Sequence, residues 1–158
     1  MGLIACQSHA PEGDSSARSD SGAGRTSRGV GLDAASAIAR GDGAALRGLL
    51  PATDFELRIE TRQTLVETDE RTSETLRTRS EVDTWLAGLR ATLACPGDSC
   101  RYPGGFAPGE LARCAGDCCY SDWPAGVEKG TLHLRRICAL SAATGERHLS
   151  YIGFVEAK

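Results

Sequence analysis

The chain has 158 residues, enough for one domain and a tail, and a net charge of −3 with acids and bases interspersed. No basic run or stripe is present, which argues against nucleic acid as a partner, and no apolar stretch approaches the roughly 18–20 residues that span a bilayer. Hydrophobic residues make up 41% but aromatic ones only 5%, so the core rests on Leu, Val, Ile and Ala, and covalent staples would help it.

The amino terminus reads Met1-Gly2-Leu3-Ile4-Ala5-Cys6-Gln7. Leu3-Ile4-Ala5-Cys6 resembles a bacterial lipobox, although no charged or long apolar segment precedes it in the sequence. In that family the cysteine receives lipid and becomes the first mature residue. The resemblance implies a lipid membrane as partner through Cys6 and a place on the extracytoplasmic side of the cell envelope. By the same resemblance, Gln7 after the cysteine implies the outer membrane. The alternative is a lone cysteine in a flexible end. N-myristoylation fits poorly, because Cys6 stands where Ser or Thr belongs. Residues 7–31 are rich in Ser, Gly and Ala and hold no aromatic, so they read as a flexible tether. Residues 1–31 are thus expected to form a lipobox remnant and tether, and 32–158 a single α+β domain.

Asp33 is the expected N-cap of a helical run over 34–50, whose apolar residues include Ala35, Ile38, Ala39, Leu46, Leu49 and Leu50. Gly41-Asp42-Gly43 predicts a kink into two short helices, and Pro51 an end. The triplet Arg40-Gly41-Asp42 matches an integrin-binding signal, but its Gly has a structural use at the kink. Phe55, Leu57 and Ile59 alternate with Glu56, Arg58 and Glu60, a half-buried strand. A hairpin through 67–71 would bring 72–79 back beside it. Ser80 then reads as the cap of an amphipathic helix, with Asp83 an acidic stand-in at the capping-box position. Val82, Trp85, Leu86, Leu89 and Leu93 form its stripe, with Trp85 a core anchor. Pro and Gly make 95–109 a loop. Three strands follow near 110–121, 130–141 and 147–157, the last pair joined by a turn over 143–146. On the middle strand Leu132, Leu134, Cys138 and Leu140 share a face, leaving His133 and Arg135 opposite and exposed.

Six of the seven cysteines, Cys95, Cys100, Cys114, Cys118, Cys119 and Cys138, fall within the carboxy-terminal half. Zinc sites pair cysteines at C-x2-C or C-x4-C; Cys95 and Cys100 are a possible first pair, but the second group, Cys114, Cys118 and Cys119, lacks a C-x2-C pair. The even number suits disulfides better, so no metal or cofactor is expected and an oxidising compartment is. A hairpin centred near Gly126 would set Cys114 opposite Cys138, close to bridging distance. Cys118 and Cys119 point to opposite faces of a regular strand and need different partners, for which Cys95 and Cys100 are available. A local Cys95–Cys100 bridge competes with that arrangement.

The stretch Ala37-Ile38-Ala39-Arg40-Gly41-Asp42-Gly43-Ala44-Ala45-Leu46-Arg47-Gly48-Leu49-Leu50-Pro51, with the order helix, helix, strand pair, helix, three strands, resembles the NTF2-like (SnoaL-like) superfamily. That resemblance implies a curved antiparallel sheet packed on two to three helices and enclosing a cone-shaped pocket. Here it would be stapled by disulfides. Members of the superfamily include isomerases, dehydratases and non-catalytic binding or dimerising domains, so fold alone leaves activity open. Enzymes of this kind project an Asp, His or Tyr into the cone. The matching residue types here are Asp54, His133 and Tyr151, with Tyr120 and His148 beside them. No G-x-S-x-G, H-E-x-x-H or P-loop accompanies them. The sequence therefore points to a membrane-tethered, non-catalytic domain that binds a small apolar ligand, a protein partner or a second copy of itself. The alternative is a small-molecule isomerase, cyclase or hydrolase working by general acid/base chemistry.

Overall fold

A computed structural model describes residues 24–64, 69–92, 111–121 and 132–157. The expectations for Cys6, the tether up to residue 23, Leu93, the loop 95–109 with Cys95 and Cys100, and the turn around Gly126 lie outside the described residues.

The first helix, α1, spans Ser27–Arg40, and its N-cap is Thr26, whose hydroxyl accepts the Gly29 N–H. The expected cap, Asp33, lies inside the helix, and the folded domain starts before Leu32. Composition hid this, because a Ser/Gly-rich stretch looks unstructured. Its Val30, however, is four residues before Ala34 and extends the buried stripe of Ala34, Ala35, Ala37 and Ile38 by a turn. Gly41, at φ 64°, closes α1 with its N–H on the Ala37 and Ile38 carbonyls. Asp42 then caps α2, Gly43–Arg47, by accepting the Ala45 N–H. The expected kink is therefore a C-cap followed at once by an N-cap, and the Arg40-Gly41-Asp42 triplet serves it. The chain leaves α2 through turns in which Leu49 and Leu50 donate to Leu46 and Arg47, before Pro51 is reached.

Strand β1, Leu57–Thr64, pairs antiparallel with β2, Asp69–Leu76, from Leu57↔Leu76 to Thr64↔Asp69. Helix α3 spans Arg79–Thr92. Its capping box uses Thr78 and Glu81 rather than Ser80 and Asp83. Glu81 Oε2 accepts the Arg77 and Thr78 N–H groups at 2.7 and 2.9 Å, and Thr78 Oγ1 accepts the Glu81 N–H. A glutamate is long enough to reach back over the first turn. Asp83 is engaged elsewhere, in an ion pair with Arg47 of α2.

The stretch expected as one strand over 110–121 is a hairpin. Gly116, at φ 58°, and Asp117 make a two-residue turn between β3, Leu111–Ala115, and β4, Cys118–Ser121. Strands β5, Leu132–Ser141, and β6, Arg147–Ala157, follow, joined by the expected turn with Gly145 at φ 83°. The six strands form one sheet in the order β2-β1-β6-β5-β4-β3.

The sheet is mixed rather than antiparallel, because β1 and β6 run parallel from Arg58↔Tyr151 to Thr64↔Ala157. The cause is the connection that carries α3. It leads from edge strand β2 to the opposite edge strand β3, which runs in the same direction as β2. The antiparallel return through β4 and β5 then brings β6 beside β1 pointing the same way. Long β6 becomes the central strand.

The helices cover one face of this sheet, and among the described residues no helix lies on the other. Leu57, Ile59, Cys119, Leu134, Ile137, Ala139, Leu149, Ile152 and Phe154 meet the α1 side chains Val30, Ala34 and Ile38 and the α3 side chains Val82, Leu86 and Leu89 in one core. Trp85 packs on its margin as an anchor, its ring 6.2 Å from that of Phe154. The pattern expected for β5 is altered by two register shifts, at Leu134/Arg136 and Cys138/Ala139. Leu134, Ile137 and Ala139 face the core, Cys138 turns to the other side, and Leu140 is 57% exposed. His133 faces away from Leu134 as its position requires, but it is only 1% exposed. It stands on an interior strand opposite Val155, and the expected exposure does not occur.

Candidate functional site

Two disulfides hold the described carboxy-terminal strands, and neither is the expected Cys114–Cys138 bridge. Cys114 bonds Cys119, and Cys118 bonds Cys138, each with its Cα atoms 4.0 Å apart. The two-residue turn at Gly116-Asp117 is the reason. It registers Cys114 against Cys119, while β5 brings Cys138 against Cys118. Cys118 and Cys119 do take different partners on opposite faces, but these are Cys138 and Cys114 rather than Cys95 and Cys100. The Cys119 sulfur enters the helix-covered core; the Cys118–Cys138 bridge lies on the helix-free face. These four sulfurs are bonded to one another rather than to a metal. Among the described residues no group of three or more His, Cys, Asp or Glu is placed to hold one.

The helix-free face carries a continuous polar cluster over five strands. Cross-strand register sets Tyr120 of β4 beside Arg136 of β5, Arg136 beside Gly153 of β6, and Gly153 beside Glu60 of β1. Cys118, Cys138, Tyr151 and Arg58 form the next row. Tyr151 leans over Gly153, where a Cβ atom would come within 2.9 Å of its Cε1 and Oη. Absence of a side chain at 153 is what lets the ring lie flat across the sheet. Laid down this way, Tyr151 meets the Arg136 guanidinium, whose central carbon is 5.0 Å from its ring centroid and 5.4 Å from that of Tyr120.

Hydrogen bonds fix the guanidinium further. Arg136 Nε donates to Cys138 Sγ and Nη2 to Cys118 Sγ, both at 3.2 Å. On the other side the Tyr151 phenol faces the Glu60 carboxylate. Glu60 in turn accepts from Arg58 Nη2 at 3.2 Å, and Arg58 Nε donates to Ser73 of β2 at 3.1 Å. Burial raises the Tyr151 phenol above its ordinary value, and the Glu60 charge adds to this against the opposing pull of Arg136 and Arg58. Tyr151 is therefore a neutral hydrogen-bond donor near neutral pH, not a phenolate base. The face offers two aromatic rings, an exposed cation and a fixed carboxylate, which is recognition chemistry.

The sequence candidates do not come together. Asp54 is exposed before β1, beside a surface groove that it lines with Phe55, Glu56 and Arg77. His133 pairs with Val155 and Tyr151 lies four residues away along β6, about 13 Å at strand rise. His148 sits at the far end of β5 and β6, with Nε2 3.6 Å from Glu146. Burial lowers the His133 pKa, and the Arg135 charge adds to this. Tyr120 and Tyr151 do meet, through Arg136.

Sequence reasoning missed Arg136, Glu60 and Arg58, which look like ordinary alternating charges on strands. One signal was available. Gly153 interrupts the apolar run of the last strand, and an isolated strand glycine marks a close approach. Among the described residues no helix is long and apolar enough to cross a membrane. No protein-family model matches the chain, and no curated protein matches it.

Proposed function

We propose that this chain is an exported, lipid-anchored domain of the NTF2-like kind that binds a protein partner through the helix-free face of its sheet. The observation that carries the reading is the Tyr120–Arg136–Tyr151–Glu60 cluster. Tyrosine and arginine dominate the energetic centres of protein interfaces, and here their side chains are already held by stacking and hydrogen bonds. A partner seated on them would order little that is not ordered already.

The other parts of the reading have their own support. Two helices, a hairpin, a third helix and a closing meander match the element order of the NTF2-like superfamily. Disulfides persist in oxidising compartments, which supports a place outside the cytosol and agrees with Cys6 as a lipid anchor. The helix-covered face is filled by Leu, Ile, Phe and Trp side chains, which supports binding over acid/base chemistry in a cone.

Two measurements test the proposal. The intact mass of full-length protein from its native cells, under non-reducing conditions, should show lipid on Cys6 and oxidised cysteines. Unlipidated protein with free thiols would refute export. Crosslinking in intact cells should join a protein partner to the surface around Tyr120 and Tyr151, and Tyr120→Ala should abolish the adduct. Crosslinks that persist unchanged in that variant would refute the assigned face.

A further inference from the structure

The two disulfides differ in what surrounds their sulfurs, and the difference is chemical. We propose that Cys118–Cys138 is a site of thiol–disulfide exchange with a dithiol reductant, activated by Arg136, while Cys114–Cys119 is a permanent staple.

Exchange requires an accessible sulfur to attack and a partner sulfur that leaves readily as a thiolate. Cys118 is half-buried on a four-residue strand next to a two-residue turn, so its sulfur can be approached. The leaving sulfur is then Cys138, which is 6% exposed and accepts the Arg136 Nε hydrogen bond at 3.2 Å. A guanidinium beside a sulfur favours thiolate over thiol and so speeds its departure. Cys118 Sγ accepts from Nη2 of the same guanidinium, so both products of reduction form against one cation. Tyr120 and Tyr151 hold that cation in place from the side.

The other bridge has the opposite arrangement. Cys114 is exposed, but attack there would expel Cys119 as a thiolate at a position with no solvent exposure, among Leu134, Ile137 and other core residues. Burial in apolar surroundings disfavours the thiolate. Attack on Cys119 itself is blocked by the same burial.

The reaction balances in two steps. A thiolate of the reductant attacks Cys118 Sγ, the Cys118–Cys138 bond breaks, and its electron pair leaves on Cys138 Sγ. The second thiolate of the reductant then attacks the mixed disulfide and releases Cys118 as a thiolate. The reductant ends as a disulfide, the protein gains two electrons, and the protons shed by the two reductant thiols are available to the two cysteines.

Reduction would also have a structural readout. Among the described residues β4 and β5 pair at Cys118↔Cys138, Cys119↔Ile137 and Tyr120↔Arg136, with side-chain hydrogen bonds joining Ser121 to Leu134 and Arg135. Breaking the bridge leaves the β3–β4 hairpin, still closed by Cys114–Cys119, on that short ladder.

The test uses the oxidised full chain with dithiothreitol as the dithiol, quenched at intervals by alkylation and read by peptide mass spectrometry. Cys118–Cys138 should open at least roughly tenfold faster than Cys114–Cys119. Arg136→Gln should slow it by roughly threefold or more, the effect of about one pKa unit on the leaving thiol through a fractional Brønsted dependence. Arg136→Lys, which keeps the charge, should restore part of the rate. Equal rates for the two bridges, Cys114–Cys119 opening first, or an Arg136→Gln rate equal to that of the unsubstituted chain would each overturn the proposal. A second measurement needs no variant. In the selectively reduced protein, the Cys138 alkylation rate should fall off only near about pH 7.5 or below, whereas a fall-off near the ordinary thiol value of about 8.5 would also overturn it.

Discussion

Gly153→Ala tests whether the helix-free cluster depends on a missing side chain. The new Cβ would lie 2.9 Å from Tyr151 Cε1 and Oη and 3.2 Å from Cζ, too close for all three atoms. Backbone cannot yield in the central strand of a six-stranded sheet, so the ring must lift. Lifting it takes the phenol away from Glu60 and off the Arg136 guanidinium, whose stacking is worth about 0.5–1 kcal/mol at an exposed site, and overpacking of this kind costs about 1–3 kcal/mol in all. Alanine in a strand interior is itself better than glycine by about 0.5–1 kcal/mol. The net expectation is a loss of up to about 2 kcal/mol, read as a lower urea midpoint under non-reducing conditions.

The decisive comparison repeats the substitution in a Tyr151→Ala background. With no ring to displace, Gly153→Ala should become neutral or stabilising by up to about 1 kcal/mol. The double-mutant cycle should therefore give a coupling of about 1–3 kcal/mol. If Gly153→Ala costs the same with and without the Tyr151 ring, the ring does not depend on that gap and the reasoning fails.

Thr78→Ala should lower stability by about 0.5–2 kcal/mol through loss of the α3 cap, whereas Ser80→Ala, at the position the sequence favoured, should change it far less. The Arg77 and Thr78 N–H groups hold the Glu81 carboxyl below its ordinary value. Its contribution is thus present above the unfolded value and lost as pH falls through the folded one, and acid titration of the Glu81→Gln variant should lack that slope. For His133 burial depresses the folded value below 6.5, so the unfolded chain takes up the proton first. Stability should be complete above that pH and decline as pH falls below it, and His133→Gln should flatten the decline in urea midpoints measured across this range. Ile38→Ala, at a fully buried position of α1, should cost about 2–5 kcal/mol in the same assay; a cost under about 1 kcal/mol would mean that α1 is not part of the core.

What could be read in one dimension was the set of features made by neighbours in the chain. The stripe of α3, the break at Gly41-Asp42-Gly43, the alternation that starts β1 and the closing hairpin each depend on residues within a few positions of one another, and each occurs where the spacing placed it. The α+β class with disulfides was legible for the same reason. Cysteine pairing was not, because it turned on whether 111–121 runs straight or folds back at Gly116-Asp117, and one two-residue turn reassigns every partner. The exposed Leu140 and the buried His133 escaped because register shifts in β5 and burial by residues distant in the chain are not periodic.

Sequence alone thus determined most helix and strand segments, the start of α1 and the hairpin over 111–121 excepted, and that sulfur would staple them, since propensity, capping and periodicity are local. Only the tertiary structure decided that β6 runs parallel to β1, that Cys118 meets Cys138, and that Tyr120, Arg136, Tyr151 and Glu60 gather on one face. Those outcomes depend on register between strands far apart in the chain, and register is set by packing of the whole sheet against α1 and α3.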